Sequence, residues 1–579
     1  MARRRFVVAT VGLTLAGCRQ DPEVVNPTPA GVPSHASRDA VAPPAPAGKT
    51  HPDQPEGKTS GGALSLPFLR ASRRECTSPC AVMFSIDPIV DTSSDNPFAL
   101  SGVYWDYGDE GADAREGPYR HGASAFRSKR GPSRETDTNT PLGMHVYQCD
   151  AGTCTFHPGV SVRNAAGDWA TAWSTVTVRS ADAAYPGART VCVSSTGTWD
   201  GDVPCPEGAS RARSLPKFGE WKTGTRYLLR RGEQFRSEPS CMRYGRQGIQ
   251  IGAFGHSADP KPELTRFAIG RESTCRHALT NNRRAAEYGP KFWNENITLT
   301  DLRVEAIELG MTFRDITLHD LDMDFERGMR GGSVVTVSTD RCTQDDSLSC
   351  SLIPLPQGLY IAGSRLIGSR QEPPKYNLGM LKSTCASFVG VLDSELKVAI
   401  GHNMRVECST RVLALHSDVS GHHLGEGGSR VAPRHAITVR SDGSLDRDML
   451  GQPRRPSSDP SKVFDSRYTV VKDVYLGDPQ SKNHSARVTI TPSKPAEPVV
   501  TRMAVLSGNL VDLEGGAGDG PATFDAHLAG TGLVCYDDNR WQAPKGCGDK
   551  GRAAIPEGGY SPARTDVPAP AVPKPPGAY

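Results

Sequence analysis

The chain has 579 residues, with 67 basic and 64 acidic side chains, 7% aromatic residues, 60 Gly and 46 Pro. That length calls for several domains or one long repeat domain with attachments, and the turn-rich composition argues against a helical bundle. The balanced charge, without a basic stripe, argues against a nucleic-acid partner.

The first residues read as a targeting segment. Arg3, Arg4 and Arg5 form a positive start, residues 6–15 are apolar, and Leu15-Ala16-Gly17-Cys18 follows at once. The run is too short to span a membrane as a helix. It resembles a bacterial lipobox, which implies a signal peptide over 1–17, cleavage before Cys18, and lipid on the thiol and new N-terminus. The expected location is the bacterial cell envelope, outer membrane first, with contact to the membrane through the anchor alone. An ordinary secretory signal that ends near a Cys is the alternative. Without the three arginines the chain is formally neutral. Residues 18–62 are Pro- and Ala-rich and read as a disordered tether, and residues 553–579 as a Pro-rich tail.

Export decides how to read the cysteines. Fourteen remain after Cys18, an even number for an oxidising compartment. They fall as neighbours: Cys76 with Cys80, Cys149 with Cys154, Cys192 with Cys205, Cys241 with Cys275, Cys342 with Cys350, Cys385 with Cys408, and Cys535 with Cys547. No pair has zinc-ribbon spacing with a second pair to match, so disulfides are expected, although connectivity is not fixed by sequence.

Residues 63–181 alternate short strands with turns. Tyr104-Trp105-Asp106-Tyr107-Gly108-Asp109 is followed by Met144-His145-Val146-Tyr147, then by Val162-Arg163-Asn164-Ala165-Ala166-Gly167. This resembles a PKD domain, an immunoglobulin-like β-sandwich, with Tyr107 where a Phe is usual. Trp105 supplies a large core anchor, and the Asp and Gly residues make the tight turn. Asp106 and Asp109 are as readily turn formers as calcium ligands. A polar, charge-rich insertion follows at 115–140.

Residues 190–552 carry strand after strand, among them Ile249-Gln250-Ile251, Ile297-Thr298-Leu299, Ile316-Thr317-Leu318 and Leu359-Tyr360-Ile361, with no helical period between them. A short phrase recurs about every 24 residues. Val391-Leu392-Asp393-Ser394-Glu395 returns as Ala414-Leu415-His416-Ser417-Asp418 and as Thr438-Val439-Arg440-Ser441-Asp442. The pattern resembles a right-handed parallel β-helix of the pectate-lyase-like class, in which rungs stack to close a core none of them could bury alone. A β-propeller would need antiparallel blades of about 40–45 residues. The expected fold is all-β: a sandwich, then a β-helix.

Strict alternation along each phrase would point Leu392, Leu415 and Val439 inward and set Asp393, His416 and Arg440 in one outward column, with Lys472 of Val470-Val471-Lys472-Asp473 as its next member. The resemblance implies a polysaccharide lyase or hydrolase that works in a groove along the sheet. His416 or Lys472 is the candidate base and Arg440 the carboxylate clamp. A solvated ladder of alternating charge is the competing reading. Five of the 15 His lie between His402 and His435, so His402, Arg405, Arg434 and His435 are candidate substrate contacts, while His422 and His423 sit in a Gly-rich loop poorly suited to a metal. Asp320, Asp322 and Asp324 would share one face and form a weak calcium candidate. No other cofactor is expected, since no phosphate loop or nucleophile elbow occurs. The expected partner is a polysaccharide or cell-surface glycan. A non-enzymatic adhesin is the alternative.

Overall fold

The computed structural model describes residues 62–108 (save 88, 95, 96, 99 and 101), 140–264 (save 165, 218, 219, 236–239, 243 and 244), 267–269, 293–309, 313–324, 333–337, 357–368, 379–384, 386–399, 402–407, 409–422, 436–440, 467–472, 474, 476, 488–491, 504–507, 510–511, 524–526, 533–535 and 540–541. Among these residues almost every element is a strand; the exceptions are the four-residue helix Ala181–Ala184 and the 3-10 turn Gly187–Arg189.

The N-terminal part is built from small, mainly antiparallel sheets. Cys80–Ser85 pairs with Leu142–Tyr147, and Gly159–Arg163 lies between Trp169–Trp173 and Gly102–Asp106. Val176–Arg179 runs antiparallel to Thr153–Phe156 and parallel to Glu75–Thr77. The inward residues Phe84, Trp105, Tyr147, Val160, Val162, Val176 and Val178 make one core, as the sequence led us to expect of Trp105. The indole of Trp105 donates to the Thr140 carbonyl at 2.8 Å, so this large side chain is buried without leaving a polar group unmade. Disulfides join Cys76 to Cys80 and Cys149 to Cys154 here, and Cys192 to Cys205 at the start of the next part.

From Thr190 onward the strands stack in parallel. The chain is a parallel β-helix with three lengthwise ladders. The first runs through Thr190–Val193, Arg226–Arg230, Gln247–Phe254, Asn294–Val304, Phe313–Asp324, Gln357–Ala362, Ser387–Leu392, Thr410–Leu415 and Arg467–Lys472. The second continues each rung past a bend, through Glu263–Leu264, the far ends of the two long strands, Arg365–Ile367, Glu395–Ala399 and Asp418–His422. The third runs through Phe267–Ile269, Ile307–Leu309, Ser333–Val337, Gly379–Thr384, Met404–Glu407, Ile437–Arg440 and Val488–Thr491. Inward residues stack on like residues. Ile249, Ile297, Ile316, Leu359, Val389 and Val412 form one column, and each such side chain removed from water contributes roughly 1.5–3 kcal/mol.

The bend between the first and second ladders takes one residue per rung. Asp301, Asp320, Gly363, Asp393 and His416 occupy it in register, all with φ between 46° and 57°. Asp, Gly and His are residue types that enter this left-handed region at low cost. Just beyond it a buried serine ladder stitches the rungs. Leu321 N–H donates to Ser364 Oγ, Ser364 N–H to Ser394 Oγ, and Ser394 N–H to Ser417 Oγ, at 3.1–3.2 Å. That is why Ser recurs in the repeated phrase.

The left-handed residue resets the alternation, and the inward reading of Leu392 and Leu415 is therefore corrected. Val391 and Ala414 face the helix core, whereas Leu392, Leu413, Leu415, Tyr360, Ala362 and Val470 face outward and join the core of the sandwich. The sandwich thus roofs the first ladder. Polar groups pin it there: Arg73 donates to Thr317 Oγ1 at 2.7 Å and lies over the Tyr360 ring, and Gln250 donates to the Ser78 carbonyl at 2.9 Å. Asp87 accepts from both Nε (2.9 Å) and Nη2 of Arg411. Burial alone would raise the Asp87 carboxyl, but the Arg411 hydrogen bond and charge outweigh it, helped by Ser85 and Arg70, and hold it below the usual carboxylate range. Arg411 also lies over Phe388 and Tyr468. Phe388, Arg411 and Tyr468 are in register at a second row of left-handed residues, φ 56–61°, where side chains of this bulk are costly. Contacts to the sandwich offset that cost.

Candidate functional site

The sequence-derived column is not one column. Asp393 and His416 are neighbours at the bend, with Asp393 Oδ1 4.0 Å from His416 Nδ1. Lys472 is level with Leu415 and Leu392 at the end of the first ladder, one residue short of the bend. Arg440 lies on the third ladder, level with Glu407 and Thr491. The physical reason is rung length. Ser394 and Ser417 are 23 residues apart, yet after His416 the chain crosses the third ladder before it regains the first at Arg467–Lys472, so a fixed period of 24 lands on the wrong face.

The acidic row is also differently placed. Asp320 is at the bend, so Asp320 and Asp322 do not simply alternate along one straight strand. Lys261 Nζ sits 2.8 Å from Asp320 Oδ1 and 3.5 Å from Asp322 Oδ2, so a cation of the chain itself occupies the side of this calcium candidate. Asp324 ends the same strand. Among the described residues no group of three or more His, Cys, Asp or Glu converges as metal ligands.

These carboxylates belong to a charge ladder along the outer side of the second ladder. Glu263, Arg303, Asp322, Arg365, Glu395 and Asp418 are in register. Arg365 lies 3.9 Å from Asp322 and 3.5 Å from Glu395; Lys397 lies 3.4 Å from Glu395 and 2.8 Å from Asp418. Burial pushes the Asp418 carboxyl up in spite of Lys397, and likewise that of Asp301 in spite of its ion pair with Arg231. Just before the bend, the His319 imidazole keeps some surface of its own but is crowded by protein, which pushes it down to about 4, and its Nδ1 lies 3.0 Å from Thr300 Oγ1. Signs alternate from Glu263 to Glu395, Lys397 bridges the two acids that follow one another, and this close pairing makes the ladder a structural seam.

The third ladder is different. Glu308, Thr336, Lys382, Arg405, Thr438 and Thr489 are level with one another in its register, and Thr438 beside Arg405 is buried. Lys382 and Arg405 are therefore side by side on neighbouring strands, about 4.8 Å apart along the helix axis, and both are partly exposed. Glu308 is buried beyond them. His402 opens the same rung, buried, with its Nδ1 3.0 Å from the Thr438 hydroxyl. The backbone beneath is fixed: Met380 and Leu381 N–H both donate to the Asn403 carbonyl, and the Asn403 amide donates to Leu396 and Ser420 carbonyls. Two adjacent cations with a fixed separation can straddle a carboxylate.

Of the four candidate substrate contacts, His402 and Arg405 come together on this face, while Arg434 and His435 lie outside the described residues. So does His423. Lys382 and Glu308 escaped the sequence reading. The signal for Lys382 was present, since Leu381-Lys382-Ser383 and Met404-Arg405-Val406 are offset by the same 23 residues as the serine pair. Cys241 and Cys535 lie at described strand positions, and Cys275, Cys342, Cys350, Cys385, Cys408 and Cys547 outside the described residues.

Fold and site together define a parallel β-helix protein whose first ladder is roofed by a β-sandwich. No protein-family model matches the chain, and no curated protein sequence matches it. Among solved structures it is similar to the Azotobacter vinelandii mannuronan C-5 epimerase AlgE6 A-module, at 12% identity and a TM-score of 0.25, covering 55% of this chain and 91% of that one. At that score the likeness carries no argument about chemistry, and the fold rests on the strand register itself.

Proposed function

We propose that the protein binds a linear acidic polysaccharide along the third ladder and acts on its uronate units at Lys382 and Arg405. The observation that carries this is the lateral pairing of the two cations on an outward sheet face. The rung spacing of about 4.8 Å is close to the length of one sugar unit, so successive units meet successive rungs. Arg405 clamps the carboxylate with its planar fork and stabilises the charge that develops there. Lys382 takes the proton next to the carboxyl group, and the β-elimination is completed as the C–O bond breaks and that proton passes to the departing glycosidic oxygen. His402, held by Thr438, lines the same rung.

The lipobox-like start supports anchoring through Cys18 to the cell envelope, and the Trp-Asp-Tyr-Gly-Asp stretch supports a PKD-like sandwich. Residues 1–61 lie outside the described residues. The first ladder is closed to a glycan by the sandwich, which supports placing the substrate elsewhere on the helix.

The test is a panel of acidic and neutral polysaccharides, with unsaturated product followed by ultraviolet absorbance and reducing ends measured in parallel. Unsaturated product from an acidic polymer, lost in Lys382→Ala, supports the reading. New reducing ends without unsaturation would replace elimination by hydrolysis, and binding without product would leave a glycan-binding adhesin.

A further inference from the structure

The sandwich carries a second surface that the third ladder does not explain. Trp169–Trp173 is an edge strand, paired on one side with Gly159–Arg163. Its even-numbered residues Ala170 and Ala172 lie opposite Val162 and Val160 and turn into the core. Trp169, Thr171 and Trp173 must then share the outer face, with Arg163, Ser161 and Gly159 level with them on the next strand. Trp173 is 39% exposed, and no side chain rises from Gly159 beside it. Arg163 places its guanidinium 5.6 Å from the centre of the Trp169 ring. Indole is the largest apolar side chain, and a core with room for Trp105 and Phe84 leaves Trp173 outside and Trp169 only partly covered, at a cost in foregone burial.

We propose that this face is a stacking platform for an acidic oligosaccharide, separate from the site on the third ladder. The two indoles are four residues apart along one strand, about 13 Å. That is the span of a short run of sugar rings, whose apolar faces stack on indole while their hydroxyls stay in water. Arg163 beside Trp169 supplies the charge complementarity that selects an acidic sugar over a neutral one. The platform would hold a chain at the sandwich while another stretch of it reaches the helix, and two linked sites raise the effective concentration of the second.

The experiment uses the full chain and uronate oligosaccharides of graded length, with their carboxyl-reduced neutral counterparts as controls, read by titration calorimetry and tryptophan fluorescence. Trp173→Ala should weaken binding about 10-fold and Trp173→Phe much less. Arg163→Gln should weaken the acidic ligand and leave the neutral one as it was. The identity of the ligand class leans on the preceding reading, so each titration is repeated in Lys382→Ala/Arg405→Ala. Binding that survives this double change and is lost with Trp173→Ala upholds the platform even if the third ladder proves inert. Unchanged affinity in Trp173→Ala and Arg163→Gln overturns it, whatever the helix site does. So does a Trp173→Ala chain whose only change, by light scattering, is a loss of self-association. Trp173 is at the surface, and unaltered urea unfolding in each variant excludes misfolding as the cause.

Discussion

The second and third ladders share one backbone repeat and differ in the order of their charges. Along the second, Arg365 stands between Asp322 and Glu395, and Lys397 between Glu395 and Asp418. Along the third, Lys382 and Arg405 are neighbours, with Thr336 and Thr438 as their next partners in register. A parallel sheet sets like positions one strand spacing apart, so the order of residues along a ladder decides which charges become neighbours. In a repeat protein, residue type says less about function than the residue directly above and below.

The sharpest test of that contrast is to remove a cation from each ladder. Lys382→Ala or Arg405→Ala should lower turnover on an acidic polysaccharide on the order of 10²-fold or more, while the urea midpoint moves little. A comparable loss of stability in both would place them in a second structural seam. Lys397→Met should do the reverse. It leaves the buried Glu395 and Asp418 carboxylates facing each other, and unfolding in urea should show a loss of about 2 kcal/mol with turnover intact.

A pH series probes the rim of the second ladder. Because the folded His319 imidazole is pushed down to about 4 from an ordinary 6.5, the unfolded chain binds its proton first as pH falls. Its contribution to stability is therefore fully present above pH 6.5 and is lost progressively on going down towards 4. His319→Gln should flatten stability across that window, and an imidazole that titrates near 6.5 by NMR would refute the burial argument. The smallest effect is expected for Arg365→Ala. With its side chain 52% exposed, it should cost under about 1 kcal/mol, less in high salt. A larger loss would show that the ladder acts as one network.

Much of the architecture was legible in local sequence. Apolar alternation marked the rungs, and Trp105 marked the sandwich core. The close spacing of Cys76 with Cys80, Cys149 with Cys154 and Cys192 with Cys205 marked bonds that form. The Leu-x-Ser phrase was real at Asp393-Ser394 and His416-Ser417, because a left-handed residue and a capping hydroxyl are needed at each bend and only a few side chains meet that need. Tertiary structure alone decided the rest. Unequal rungs put Arg440 on another ladder, and Leu392 and Leu415 are outward yet buried because the sandwich covers them. The Arg411–Asp87 pair that helps fix that cover joins residues 324 positions apart. Local sequence records what a strand or a bend requires of its own residues, whereas a neighbour brought in by stacking or docking leaves no periodic trace. The side of a rung that meets solvent was therefore a property of the folded chain.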